Sequence, residues 1–280
     1  MKWKGRQSSS NVERRSGGGG GMPLKVGGPG LIILMIIIFL MGGNPLQVLG
    51  TMPVETHESM GDRNTQELEE FVSVVLKDTE DVWHEIFKEH PGIESDYIEP
   101  SMVLYHGQVQ SGCGLASSGM GPFYCPADQK IYMDVSFYDD LVHRFGADGG
   151  DYAMAYVLAH EVGHHVQNQL GILNQVHKLQ GQIPEKEYNR YSVALELQAD
   201  YFAGVFTKYI QEKGYLEAGD IEEAMSAAHA VGDDTIQKGQ VGYANPDTFT
   251  HGTSEQRKEW FMRGFQYGDI EHGNTFNEIK

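Results

Sequence analysis

The stretch DYAMAYVLAHEVGHHVQNQL, residues 151–170, is followed directly by Gly171. Ala153, Tyr156, Val157 and Val166 recur through it at helical spacing, and glycine is a common residue just past a helix end. The spacing predicts a helix over about 151–170. At its middle stands His160-Glu161-Val162-Gly163-His164. Two histidines four apart on a helix sit one turn above the other, so both imidazoles reach one metal ion. Glu161 lies beside them, placed to take a proton from a water that the metal activates. This ligand set suits zinc, which accepts imidazole and carboxylate and keeps one position open in catalytic sites. His165 is about 100° off that stripe and cannot join the same metal.

A third ligand is needed. Glu196 is the candidate, 32 residues after His164, within a second predicted helix over about 187–213 that Gly214 stops. Asp200 is one turn further along the same face. Its carboxylate can take the other ring N–H of a ligand histidine and fix the tautomer. The surrounding run, Ala194 to Ala203, is largely apolar, so acids within it need a reason.

Further helices are expected to either side. Asn64 with Glu67 reads as a capping box, and Leu68, Phe71, Val72, Val75, Val82, Trp83 and Ile86 follow at helical spacing to about His90. Another helix is expected from Asp220, acting as its cap. The last starts near Thr253, where Gln256 completes a capping box. Residues 98–140 differ. Met102–Tyr105 and Ile131–Met133 are β-prone and separated by glycine-rich segments, which predicts a small antiparallel sheet. Cys113 and Cys125 fall here, and either pair as a disulfide or stay as two buried thiols.

The net charge of −18, from 21 Lys and Arg against 39 Asp and Glu, excludes a nucleic-acid binder that relies on a basic face. The charge is uneven. Lys2, Lys4, Arg6, Arg14, Arg15 and Lys25 precede a charge-free gap that holds the apolar run Leu31–Met41. Eleven residues rise only about 16 Å as a helix, short of a bilayer core of ~30 Å. Extension to Leu49 reaches spanning length. A cleaved signal peptide and an uncleaved anchor both fit, and the lack of a small-residue cleavage site favours the anchor. The basic flank then keeps the N-terminus cytoplasmic and the acidic bulk outside.

Several blocks in order give the chain a resemblance to the family of putative neutral zinc metallopeptidases, bacterial proteins with one N-terminal membrane segment. They are Met1-Lys2-Trp3 with Ser9-Ser10-Asn11-Val12, Gly121-Pro122-Phe123-Tyr124-Cys125-Pro126, Ile131-Tyr132-Met133-Asp134, His160–Gln167, Glu196–Asp200, Gly232-Asp233-Asp234 and His251–Arg257. The last block is also similar to the His…Arg element of the CAAX prenyl proteases and their bacterial heat-shock relatives. The resemblance implies an α+β fold: a mainly helical, zincin-like domain with the small sheet, preceded by one transmembrane helix. It implies one zinc ion on His160, His164 and Glu196. It also brings His251 near the site as an oxyanion donor. Tyr243 is the alternative donor, and Arg257 can orient that donor or pair with a carboxylate; Asp200 and Arg257 are thus the supporting residues behind the metal ligands.

The expected organisation is a basic cytoplasmic segment over 1–29, a signal-anchor over 30–50, a linker over 51–63 and a zinc metallopeptidase domain over 64–280. The expected function is a single-pass, membrane-anchored endopeptidase whose catalytic domain is periplasmic or extracellular, with a peptide or protein substrate. Such a substrate would add as a strand, and Gly121, Pro122, Phe123 and Tyr124 are the candidate edge. Two other readings stay open: a zinc hydrolase of non-peptide amides, and a non-catalytic anchored scaffold that keeps its metal. The intact Glu161 counts against the scaffold, because a closed structural site needs no base.

Overall fold

The computed structural model describes residues 1–15 and 62–279. Strand β1 (Val12–Arg15) comes first, then helix α1 (Asp62–Glu89). Strands β2 (Ser101–Tyr105), β3 (Gln108–Ser111), β4 (Gly114–Ser117), β5 (Phe123–Cys125) and β6 (Lys130–Asp134) follow. The helices after the sheet are α2 (Asp151–Gln169), α3 (Ile172–His177), α4 (Glu185–Glu212), α5 (Asp220–Ala230), α6 (Asp233–Val241) and α7 (Ser254–Tyr267).

Local chemistry accounts for most helix ends. Gly171 and Gly214 take left-handed conformations, φ 75° and 73°, just past α2 and α4. Thr253 accepts the Gln256 N–H, and the reciprocal bond from the Gln256 side chain completes the capping box of α7. Two expected caps differ. Helix α1 starts at Asp62, ahead of Asn64. Asp220 is spent elsewhere, accepting the Met1 α-ammonium at 3.1 Å and the Glu217 N–H at 2.7 Å.

The sheet is mixed, not antiparallel throughout. Its order is β1-β2-β6-β5, with β1–β2 and β2–β6 parallel and β5–β6 antiparallel. Strands β3 and β4 form a separate antiparallel hairpin. Alternation along β2 and β6 covers both faces. Met102, Leu104, Ile131 and Met133 join the main helical core, while Val103, Tyr105 and Tyr132 pack with Val109 and Ala116 of the hairpin. The Cys113–Cys125 disulfide, with Cα atoms 5.9 Å apart, ties the hairpin to the end of β5. Strand β5 is left at one edge of the sheet, packed against α2.

Helix α2 is buried on every side from Tyr152 to Gln167, packed among α1, α4 and α5. That is the pattern of a core helix rather than a surface one. Helix α7 lies along α4. A Cβ at Gly204 or Gly264 would meet backbone of the other helix at about 2 Å, so glycine lets α4 and α7 cross in backbone contact.

Two expectations are corrected. Among the described residues no helix is long and apolar enough to cross a membrane. This removes the transmembrane helix from the fold class and the single-pass placement from the localisation. Residues 1–15 give the physical reason. They are built into the same body as the metal-motif helix rather than held across a bilayer from it. Met1 and Trp3 are buried, Trp3 Nε1 donates to Asp151 Oδ2 at 2.9 Å, and β1 pairs with β2 in register from Val12–Met102 to Arg15–Tyr105. The expected span at 30–50 lies outside the described residues, as does all of the linker except Asp62 and Arg63, which open α1.

Candidate metal centre

Helices α2 and α4 meet at Gly163, where a Cβ would stand 3.0 Å from both Cα and O of Ala199. This approach sets Glu196 and Asp200 against the two histidines. Glu196 Oε2 is 3.2 Å from His160 Nε2, and Glu196 Oε1 is 3.5 Å from His164 Nε2. One ligand atom from each of His160, His164 and Glu196 lies within 4.8 Å of the others, and all three residues are buried.

The opposite ring nitrogens are already engaged. His160 Nδ1 donates to Asp200 Oδ1 at 2.8 Å, and His164 Nδ1 donates to Gln167 Oε1 at 2.9 Å. The Gln167 amide is oriented in turn, because its Nε2 donates to Leu195 O at 2.7 Å and Gln198 Oε1 at 3.2 Å. Both Nε2 atoms therefore face Glu196. Two imidazoles of fixed tautomer and one carboxylate converging in a buried place fit a zinc ion.

Arg257 closes the far side of Asp200. It donates through Nε to Oδ2 at 2.8 Å and through Nη2 to Oδ1 at 3.0 Å, a two-point grip on one carboxylate. Tyr156 Oη donates to Asp200 Oδ1 at 2.5 Å. Burial alone would push the Asp200 carboxyl up, yet Arg257 and His160 outweigh it and hold it down at about 2. Glu196 behaves alike. Burial raises it, but the charges of His164 and His251 and its histidine hydrogen bonds keep it well below the ordinary range.

Glu161 is buried on the wall of the same cavity. Burial pushes its carboxyl up, and the two histidines and a hydrogen bond from the Tyr124 N–H partly offset this. His165, off the metal stripe, ties strand to helix. Its Nε2 donates to Ile98 O at 2.6 Å, and its Nδ1 accepts from Tyr124 Oη at 3.1 Å.

His251 enters from the loop before α7 and lines the cavity with the metal group. Its Nδ1 is 3.2 Å from Asp233 Oδ1. The other oxygen of Asp233 accepts the backbone N–H groups of Thr250, His251 and Gly252 at 2.7, 2.7 and 3.1 Å. Asp233 thus fixes both the loop and the ring.

The structure brings together His160, Glu161, His164, Glu196, Asp200, His251 and Arg257, with Gly121, Pro122, Phe123 and Tyr124 along the same cavity. Tyr243 is not on that wall and is 68% exposed. The supporting roles of Gln167, Tyr156 and Asp233 were not read from the sequence. Gln167 and Tyr156 carry a faint signal, standing three residues after His164 and four before His160 on the buried helix.

The sequence matches the family described as putative neutral zinc metallopeptidase over residues 1–276. A protein of Escherichia coli strain K12, described as uncharacterized protein YpfJ, is 46% identical over 291 residues covering 99% of each chain. A Mycobacterium tuberculosis H37Rv protein, described as uncharacterized protein Rv2575, is 40% identical over 260 residues, 85% of this chain and 84% of its own. No solved structure matches the chain. The chain belongs to the putative neutral zinc metallopeptidase family, and its buried His160, His164 and Glu196 can hold one metal ion.

Proposed function

We propose that the chain is a zinc endopeptidase in which His160, His164 and Glu196 hold the ion and Glu161 is the general base. The observation that carries this reading is the Glu161 carboxylate, buried on the cavity wall beside the three ligands yet outside the ligand group. A purely structural zinc site has no use for a buried acid there.

Zinc, when bound, supplies Lewis acidity, which makes water a nucleophile near neutral pH and polarises a carbonyl. The chain's residues do the rest. Glu161 takes the proton from the attacking water and delivers it to the departing amine, and the raised carboxyl suits both acts. His251 donates to the oxyanion that develops on the carbonyl carbon, with its ring held from behind by Asp233. Asp200 and Gln167 keep the ligand tautomers, and Arg257 neutralises Asp200. Gly121–Tyr124, which run into the edge strand β5 and line the cavity, receive the substrate backbone as an added strand.

The test is zinc content and peptide cleavage by the full chain and two variants. Parent and Glu161→Ala should each hold one zinc, with cleavage lost in Glu161→Ala. Glu196→Ala should lose most of the zinc. Full zinc in Glu196→Ala overturns the ligand set, and cleavage retained by Glu161→Ala overturns the base.

A further inference from the structure

The cavity beside the metal group has a volume of about 110 Å³, and its walls are of two kinds. One side carries the ligands, Glu161 and His251. The rest is apolar: Met120, Phe137 and Phe145 from the segments flanking β5 and β6, Val157 one turn ahead of His160 on α2, and Val231 and Ile236 from the α5–α6 corner.

Charge is nearly absent from the apolar side. Among the described residues Arg257 is the one charged lining residue besides the ligands, Glu161 and His251, and each of its three nitrogens already has an acceptor. Nε and Nη2 go to Asp200, Nη2 also reaches Tyr156 Oη at 3.3 Å, and Nη1 donates to Val231 O at 3.2 Å. A charged side chain entering here would lose water with no counter-charge on the apolar side, whereas an aromatic or aliphatic one would be buried against the apolar wall.

The geometry points to a substrate class: peptides with a large apolar residue, Phe or Leu in size, next to the bond that is cut. The inference rests on the peptidase reading, because the metal group and the pocket share one cavity. A carbonyl brought to the ligands puts an adjacent side chain within reach of Phe137, Val157 and Ile236. The residues that set the preference are then Val157 and Ile236. They lie on different helices, and neither belongs to the metal group or its hydrogen-bonded supports.

The experiment measures binding and cleavage separately. The probes are short peptide hydroxamates that differ only in one side chain: Phe, Leu, Gly, Asp or Lys. They are titrated against the zinc-loaded full chain, and a peptide library with the same five residues is digested in parallel. The Phe and Leu probes should bind about 30-fold tighter than Gly, a difference of the size that burying one such side chain gives. Asp and Lys should bind no better than Gly. Val157→Phe and Ile236→Phe, which fill the pocket from two sides, should each erase the Phe advantage, read as the ratio of Phe-probe to Gly-probe affinity within the same variant, while zinc content stays at one ion. Equal binding of all five probes, or a preference for Asp or Lys, overturns the inference. So does an unchanged Phe advantage in both filled variants. If the Phe preference holds in binding while no library peptide is cut, the pocket assignment stands and the peptidase reading falls.

Discussion

Asp200 Oδ1 lies 2.8 Å from Nδ1 of His160, one helical turn beyond Glu196 on α4. One face of α4 thus supplies both a carboxylate for the metal group and the carboxylate that orients a ligand histidine. Arg257, Tyr156 and His160 all converge on Asp200, which is fully buried. Removing its charge leaves Arg257 buried without its anion.

Asp200→Asn should therefore lower zinc affinity by about 10- to 100-fold, the usual effect of losing a partner behind a metal ligand. It should also destabilise the fold by about 3–5 kcal/mol, because it breaks a buried ion pair from one side. Competition with a zinc chelator and denaturant unfolding read the two effects. Removing the anion and the cation together, in Asp200→Asn with Arg257→Met, should restore much of the stability but not the zinc affinity.

Gly163 is the point of closest approach between α2 and α4. Alanine favours helix over glycine by about 1 kcal/mol, so propensity alone predicts that Gly163→Ala stabilises. Packing predicts the reverse, since the new methyl meets backbone of a buried helix that cannot yield cheaply. The expected outcome is a loss of stability together with weaker zinc binding, as α4 is pushed off the histidines. Gly239 on α6 is the control. A Cβ there meets nothing within 4 Å, so Gly239→Ala should stabilise by about 0.4–1 kcal/mol. Thermal unfolding of the two variants side by side decides whether packing or propensity governs Gly163.

His160, His164, Glu196 and Asp200 were legible in the sequence because helical spacing puts i and i+4 on one face, whatever the tertiary fold. Helix ends at Gly171, Gly214 and Thr253 were legible because their chemistry is local. The pairing of β1 with β2 was not. Val12-Glu13-Arg14-Arg15 is mostly charged, and each residue's partner lies 90 residues later, from Met102 to Tyr105. The Gly232-Asp233-Asp234 block stood out in the sequence, but the role of Asp233 was not legible for a similar reason, because its hydrogen bonds reach residues 250–252 across α6. Tyr243 was a candidate by residue type alone, and it stands exposed, off the cavity wall. The membrane expectation followed from composition, which does not reveal that Met1 and Trp3 are core residues.

Asp233 gives a prediction for the reaction rather than for the metal. It does not line the cavity but holds His251, which does, so it acts as a positioning residue. His251→Ala should lower kcat by about 10²–10³-fold, the cost of losing one oxyanion donor. Asp233→Asn should lower kcat less, by roughly 10-fold, with KM and zinc content near those of the parent. A change in KM alone, in either variant, would move His251 from the reaction to substrate binding.

The disulfide joins the β3–β4 hairpin to β5, the strand whose edge faces the cavity. Closing a loop of this size constrains the unfolded chain and contributes about 2–4 kcal/mol. Cys113→Ser with Cys125→Ala should lower the unfolding midpoint accordingly and leave zinc content unchanged, because no metal ligand lies in the hairpin or on β5. Reductant should reproduce the shift in the parent and have no effect on the double variant.

Asp78 supplies the pH dependence. It sits on α1 beneath the N-terminal arm, paired with Arg6, and its Oδ2 is buried without a hydrogen-bond partner among the described residues. Burial raises its carboxyl from 3.8 to about 6, with Asp81 adding to the rise and Arg6 and Lys213 opposing it. The folded state therefore holds this proton more tightly than the unfolded chain. Its contribution to stability is fully present below about pH 4 and is lost as pH rises through 6, a change on the order of 3 kcal/mol. Asp78→Asn cannot ionise and keeps a neutral amide in place. Relative to that variant, the parent should lose stability between pH 4 and 7 and run parallel to it above. Equal slopes for parent and variant across that window in denaturant titrations would show that Arg6 fully compensates the buried charge, and the N-terminal arm would then be held by an ion pair that is intact at every pH in the range.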